Sequence, residues 1–164
     1  MSQKPRPPAL DPATIKPVTG TNYPPPHDRH CDVRERRALG DAFGLSQFGV
    51  NLTRLPAGGW SAQRHWHERE DELVYVLEGE VILVTDAGRQ VLRAGMAAGF
   101  PANAGNGHHL VNESGRDAVY LEIGTRSTDE TVDYPDIDMR LERRAGKRTF
   151  LHRDGTPYPP RRAT

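Results

Sequence analysis

Between Gln47 and Gly124 the chain is cut into short apolar runs by glycine, proline and other turn residues, and this punctuation restricts its fold more than any other feature. Phe48, Val50 and Leu52 alternate with Gly49, Asn51 and Thr53, the period of two of a half-buried strand. Pro56-Ala-Gly-Gly59 breaks that pattern. Leu73 to Leu77 and Val81 to Thr85 read as two strands with a hairpin-like connection at Glu78-Gly79-Glu80. Asp86-Ala-Gly-Arg89 turns the chain into Gln90-Val-Leu92. After further breaks at Gly95 and Gly99-Phe-Pro101, His108 to Asn112 and Ala118 to Ile123 supply two more strands. With no helical stretch of a dozen residues between them, these runs predict an all-β sandwich or barrel.

The 164 residues (18.3 kDa) suffice for one such domain with extensions. Eight of the 14 prolines fall in the first 26 residues, which predicts an extended proline-rich N-terminal arm over 1–30, since proline lacks the donor a ladder or helix needs. The barrel domain is expected over 31–142, with its core at 47–124. From Cys31 to Gly40 the chain is charged and predicts at most a short helical turn. After Gly124 it becomes acidic, and Ile137, Met139 and Leu141 alternate as one more edge strand. A basic tail is expected over 143–164. These charge runs read most simply as solvated surface. The alternative is that Arg143, Arg144, Lys147 and Arg148 attract a phosphate-bearing substrate or an acidic run of a partner subunit.

Composition narrows the function. Lys plus Arg and Asp plus Glu both number 22, so charge does not recruit the surface to nucleic acid or an acidic membrane. The single cysteine, Cys31, excludes an intrachain disulfide. There is no apolar run long enough for a membrane span and no secretory pattern, so a cytoplasmic protein is expected. The apolar fraction of 35% is low for a small barrel, and a homodimer that covers outward Trp66 and Leu73 is expected to compensate.

His65 and His67 stand two apart, and on a strand residues i and i+2 share a face. Glu72 follows after a turn's length, and His108 heads a later strand. Three imidazoles and a carboxylate are a suitable ligand set for a divalent first-row metal and leave positions open for catalysis. Hydrogen-bonded strand histidines are the competing reading. His109 has the opposite parity to His108 and is expected at the surface or an interface. Glu68, Glu70 and Asp71 read as solvated turn carboxylates, and His27, His30 and Cys31 as a weak second ligand cluster.

The spacing Gly59, five residues, His65, one, His67, four, Glu72, six, Gly79 resembles the first signature of the cupin superfamily. Gly95, five, Pro101 and then Gly105, two, His108, three, Asn112 resemble the two halves of its second signature, with two extra residues between Pro101 and Gly105. The resemblance implies a double-stranded β-helix, a jelly-roll barrel holding the metal on His65, His67, Glu72 and His108. The extra residues fall in the Ala102–Gly107 loop and predict a wider barrel mouth, which bears on how His108 is turned. With the histidines inward, Ser61 and Gln63 are expected inward too, and Val74 and Val76 beside Glu72 form an apolar lining.

More narrowly, Gly105-Asn-Gly-His-His-Leu110 and Tyr134-Pro-Asp-Ile-Asp138 resemble small bacterial cupins labelled sugar-phosphate isomerases or epimerases. That implies a metal-dependent enzyme on a small polar metabolite, with manganese, zinc, iron or nickel as the divalent ion. Glu72, if it can leave the metal, is then the only inward base the sequence names, and Gln63, Asn106 and Tyr75 are candidate substrate contacts. A metal-dependent dioxygenase and a non-catalytic metal or metabolite sensor are the alternatives, because fold alone does not fix function.

Overall fold

The structure, a computed structural model, describes residues 8–159; Pro5, Pro7 and Pro160, which belong to the expected arm and tail, lie outside the described residues. Its strands are β1 (Val18–Thr19), β2 (Glu35–Ala38), β3 (Phe48–Leu55), β4 (Trp66–His67), β5 (Glu72–Glu78), β6 (Glu80–Thr85), β7 (Gly88–Arg93), β8 (Ala97–Phe100), β9 (His109–Val111), β10 (Ala118–Thr125), β11 (Glu130–Tyr134), β12 (Met139–Arg144) and β13 (Lys147–Leu151). A short α-helix, α1 (Leu39–Phe43), ends at Gly44 in the left-handed conformation that suits a glycine C-cap.

The wall that carries Glu72 is a six-stranded antiparallel sheet in the order β1-β2-β3-β10-β5-β8. Facing it are β7-β6-β9 and β13-β12-β11-β4. Isolated bridges Trp60↔Val111 and His65↔His108 join these two sheets through the segment that leads into β4. The result is the jelly-roll barrel.

Two cores hold the walls together. Leu55, Val74, Val76, Val81, Leu83, Leu92, Leu110, Ala118 and Tyr120 fill one end, with Ala98 and Phe100 against them. The other contains Tyr23, Cys31, Ala62, Val132, Tyr134 and Met139. Tyr23 packs edge-on against Tyr134 and Phe150, with centroids 5.7 Å apart in each case. The arm is thus built into the domain: β1 pairs with β2, and Tyr23 and Cys31 are core residues.

Several expectations are corrected. The charged stretch before Gly40 contains strand β2, because Arg36 pairs with Thr53 and faces the barrel interior. The Ile137–Leu141 region is not an edge: β12 lies between β11 and β13, and β13 draws part of the expected tail into the sheet. The motif glycines have steric reasons. A Cβ on Gly79, at φ +73°, would lie 2.7 Å from the Asp117 carbonyl oxygen, and one on Gly59 would lie 2.9 Å from Val33 Cγ2.

Candidate metal centre

Four elements bring the centre together. The segment before β4 carries His65, β4 carries His67, β5 begins with Glu72, and His108 immediately precedes β9. Glu72 Oε2 lies 2.8 Å from His108 Nε2, 3.4 Å from His67 Nε2 and 3.7 Å from His65 Nε2. The ligand atoms of His65, His67 and Glu72 are all within 4.8 Å of one another.

Two of the rings are oriented from outside the centre. His65 Nδ1 lies 2.8 Å from the Gln63 carbonyl oxygen, so it carries the proton and leaves the Nε2 lone pair facing inward. Phe100 stacks on the His108 ring at 3.6 Å with planes 3° apart, and this fixes the ring despite the extra loop residues. That loop is itself pinned: Asn103 N donates to the His67 carbonyl at 2.7 Å, and Asp86 N donates to Asn106 Oδ1 at 2.9 Å.

A metal requires neutral imidazoles and an ionised carboxylate, and His65 and Glu72 are shifted in those directions. Burial lowers the His65 pKa to about 3, against the opposing pull of Glu72. For Glu72, burial acts upward, but the His108 hydrogen bond and the surrounding imidazoles outweigh it and bring the carboxyl to about 2. The donor set and its orientation fit a divalent first-row ion.

A second group sits behind His67. Its Nδ1 is 3.7 Å from Glu70 Oε2 and 3.9 Å from Glu130 Oε2. Glu70 is not the solvated turn residue expected: it is buried, ion-paired with Arg143, and accepts from Ser127 N at 2.7 Å. Glu130 accepts from the backbone amides of Glu68, Arg69 and Thr131 at 3.0, 3.1 and 2.8 Å. With both carboxylates engaged, this group supplies negative charge behind His67.

The centre opens into a cavity of about 810 Å³ lined by Arg34, Arg36, Tyr120's neighbour Glu122, Arg126, Arg143 and Arg148, among others. Arg34 is 8% exposed, donates to the Ser61 carbonyl, and leaves its Nε without a partner among the described residues. A smaller cleft of about 80 Å³ behind the centre is lined by Trp66, Pro101, Ala104 and Asn106.

Of the expected substrate contacts, Asn106 borders that small cleft, whereas the other two are turned elsewhere. Gln63 Nε2 donates to the His27 carbonyl at 2.8 Å, and Tyr75 is on the outer face of β5, 40% exposed. His109 is buried rather than at the surface; its Nδ1 lies 2.9 Å from the Ala62 carbonyl oxygen, and burial lowers its pKa. His27, His30 and Cys31 do not converge: His27 contacts Tyr158, His30 stacks on Trp60, and Cys31 is a core thiol. Parity offered one missed signal, since Glu122 shares an inward face with Ala118 and Tyr120.

A cupin domain family model matches residues 51–124. The chain superposes on a sugar phosphate isomerase of the cupin superfamily from Silicibacter pomeroyi with a TM-score of 0.89 and 43% identity, over 93% of this chain and 97% of that one. A candidate sugar phosphate isomerase from Acidithiobacillus ferrooxidans gives 0.71 and 32%, over 79% and 82%. The polyketide cyclase RemF from Streptomyces resistomycificus shares the fold at 0.56 and 22% identity, over 76% and 80%. No curated protein matches the chain.

Proposed function

Because the chain belongs to the cupin superfamily, we propose that it is a metal-dependent enzyme acting on a small anionic metabolite, specifically an isomerase or epimerase of a phosphorylated sugar. The observation that carries this reading is the arginine wall of the metal cavity. Arg36 and Arg148 line it without an ion pair among the described residues, and buried Arg34 adds an unpartnered Nε. β2 stands three strands from β5 in one sheet, about 14 Å at the usual strand spacing. A short sugar phosphate spans such a gap once the arginine side chains reach inward. Guanidinium groups suit a phosphoryl group because their paired N–H donors match its oxygens.

His65, His67, Glu72 and His108 would hold the ion. A divalent ion bound there, manganese, zinc, iron or nickel, supplies Lewis-acid polarisation of a substrate carbonyl. The chain's own residues do the rest. Arg34, Arg36 and Arg148 orient the anionic end, so that the reacting carbons lie toward the metal centre, and Val74 and Val76 keep the floor dry. Arg143 and Arg144, expected to attract phosphate, are instead engaged with Glu70 and Glu142.

A homodimer goes with this reading. Leu73, Tyr75 and Leu77 form an exposed stripe on the outer face of β5, suited to cover by a second copy. A cytoplasmic setting also goes with it: Cys31 is a buried free thiol, and no helix among the described residues is long and apolar enough to cross a membrane.

The test is turnover of a panel of short aldose and ketose phosphates by protein loaded separately with each of the four metals. Interconversion of one pair is expected. Tight binding of a panel member without turnover would favour the sensor, and dioxygen consumption with ferrous ion would favour the dioxygenase.

A further inference from the structure

We infer that Glu122 is the acid–base residue that carries the proton between adjacent carbons of the substrate; this rests on the isomerase reading above. Glu72, the base expected from sequence, has Oε2 in contact with all three imidazoles and is committed to the metal centre. A group that must take up and return a proton has to be a different one.

Register and elimination identify it. On the inner face of β10, Gly124 pairs with Glu72, and Glu122 pairs with the next inward residue of β5, Val74. Glu122 and Glu72 are therefore diagonal neighbours across two strands, about 7–8 Å apart at the backbone. Gly124 keeps the space between them open, since a Cβ there would already lie 3.7 Å from Glu72 Cγ.

Five carboxylates line the cavity: Asp41, Glu70, Glu72, Glu122 and Glu130. Asp41 is paired with Arg126, Glu70 with Arg143, and Glu130 accepts three backbone amides. Glu122 makes no ion pair within 4.0 Å among the described residues, and its hydrogen bond from Asn51 Nδ2 is a long 3.5 Å. It stands between the metal centre and the arginine wall, where the middle of a bridging substrate would pass.

The step balances within the substrate. Glu122 takes the proton from the carbon next to the carbonyl, and the C–H electron pair becomes the C=C bond of an enediolate. A hydroxyl proton passes to the former carbonyl oxygen. Glu122 then returns its proton to the neighbouring carbon, and the oxygen that gave up the hydroxyl proton becomes the new carbonyl. No oxidant or reductant is required.

The experiment compares wild type, Glu122→Gln and Glu122→Asp with the same sugar-phosphate panel in D2O, following deuterium at the carbon next to the carbonyl by NMR. Metal content and Tm are measured on each preparation. The expected result is exchange in wild type, a loss of about 10²- to 10⁴-fold in Glu122→Gln, and an intermediate rate in Glu122→Asp, all with unchanged metal content. If Gln unsettles the fold, Glu122→Asp decides: slowed exchange at full metal content supports the assignment and an unchanged rate overturns it. Exchange in Glu122→Gln at the wild-type rate overturns Glu122 and leaves the isomerase reading standing. Absence of both exchange and isomerised product from wild type with every panel member overturns that reading and the base with it.

Discussion

His65 and His108 hold each other through both of their backbone hydrogen bonds: His65 N donates to the His108 carbonyl at 3.2 Å, and His108 N donates to the His65 carbonyl at 2.8 Å. Their rings lie 5.0 Å apart. The same bridge helps join β7-β6-β9 to β13-β12-β11-β4, so the metal centre sits on a seam of the barrel.

Metal binding is therefore expected to tighten that seam. A ligand that binds only the folded state, at about 100 times its Kd, adds about 2.7 kcal/mol. Metal-loaded protein should melt several degrees above chelator-treated protein, and His108→Ala should abolish the difference. Equal Tm values with and without bound metal would contradict the coupling.

Arg143 and Glu70 are a buried pair, with side chains 13% and 11% exposed. Removing one partner of such a pair leaves an uncompensated charge and costs about 3–5 kcal/mol, whereas replacing both with apolar groups costs far less. Arg143→Met should lose stability on this scale in urea titrations, and Arg143→Met/Glu70→Met should recover much of it. A single variant as stable as wild type would show that the pair is not closed in solution.

These residues also show what the sequence withheld. The signature positions were legible because glycine spacing fixes turns and strand parity fixes which histidines converge. β11 was not, because Glu130 and Asp133 make it read as an acidic loop. Glu130 can be buried only because backbone amides at 68, 69 and 131 satisfy it, and those are distant in sequence or carried by the backbone. β2 was hidden in the same way: Arg34 and Arg36 face a polar cavity, so hydrophobic alternation never marks the strand. Ala97-Ala-Gly-Phe100 is too small-sided to signal β8.

The second core should make the protein sensitive to alkali. Burial raises Cys31 to about 11 and Tyr23 to about 12, from ordinary values near 9 and 10. Both groups ionise more readily when unfolded, so their stabilisation is complete below pH 9 and falls as pH rises from 9 to 12. Each shift corresponds to roughly 2–3 kcal/mol. Urea midpoints should drop steeply over that window and less steeply in Cys31→Ala, and the native thiol should resist alkylation at pH 8. Rapid alkylation of folded protein at that pH would refute the burial of Cys31.

The arginine wall can be tested without any substrate. In metal-free protein, inorganic phosphate at millimolar concentration should raise Tm, and Arg36→Met should weaken phosphate binding about tenfold or more, as expected for a charge-assisted contact worth 1.5–3 kcal/mol. Equal phosphate binding by Arg36→Met would remove Arg36 from the wall's function.

The most direct measurement is the metal content of the purified protein, by elemental analysis, beside His65→Ala/His67→Ala. The account predicts close to one equivalent of a divalent first-row ion in wild type, directly or after reconstitution, and almost none in the double variant. Wild type that takes up none of manganese, iron, zinc or nickel, or a double variant that retains the full equivalent, would contradict it.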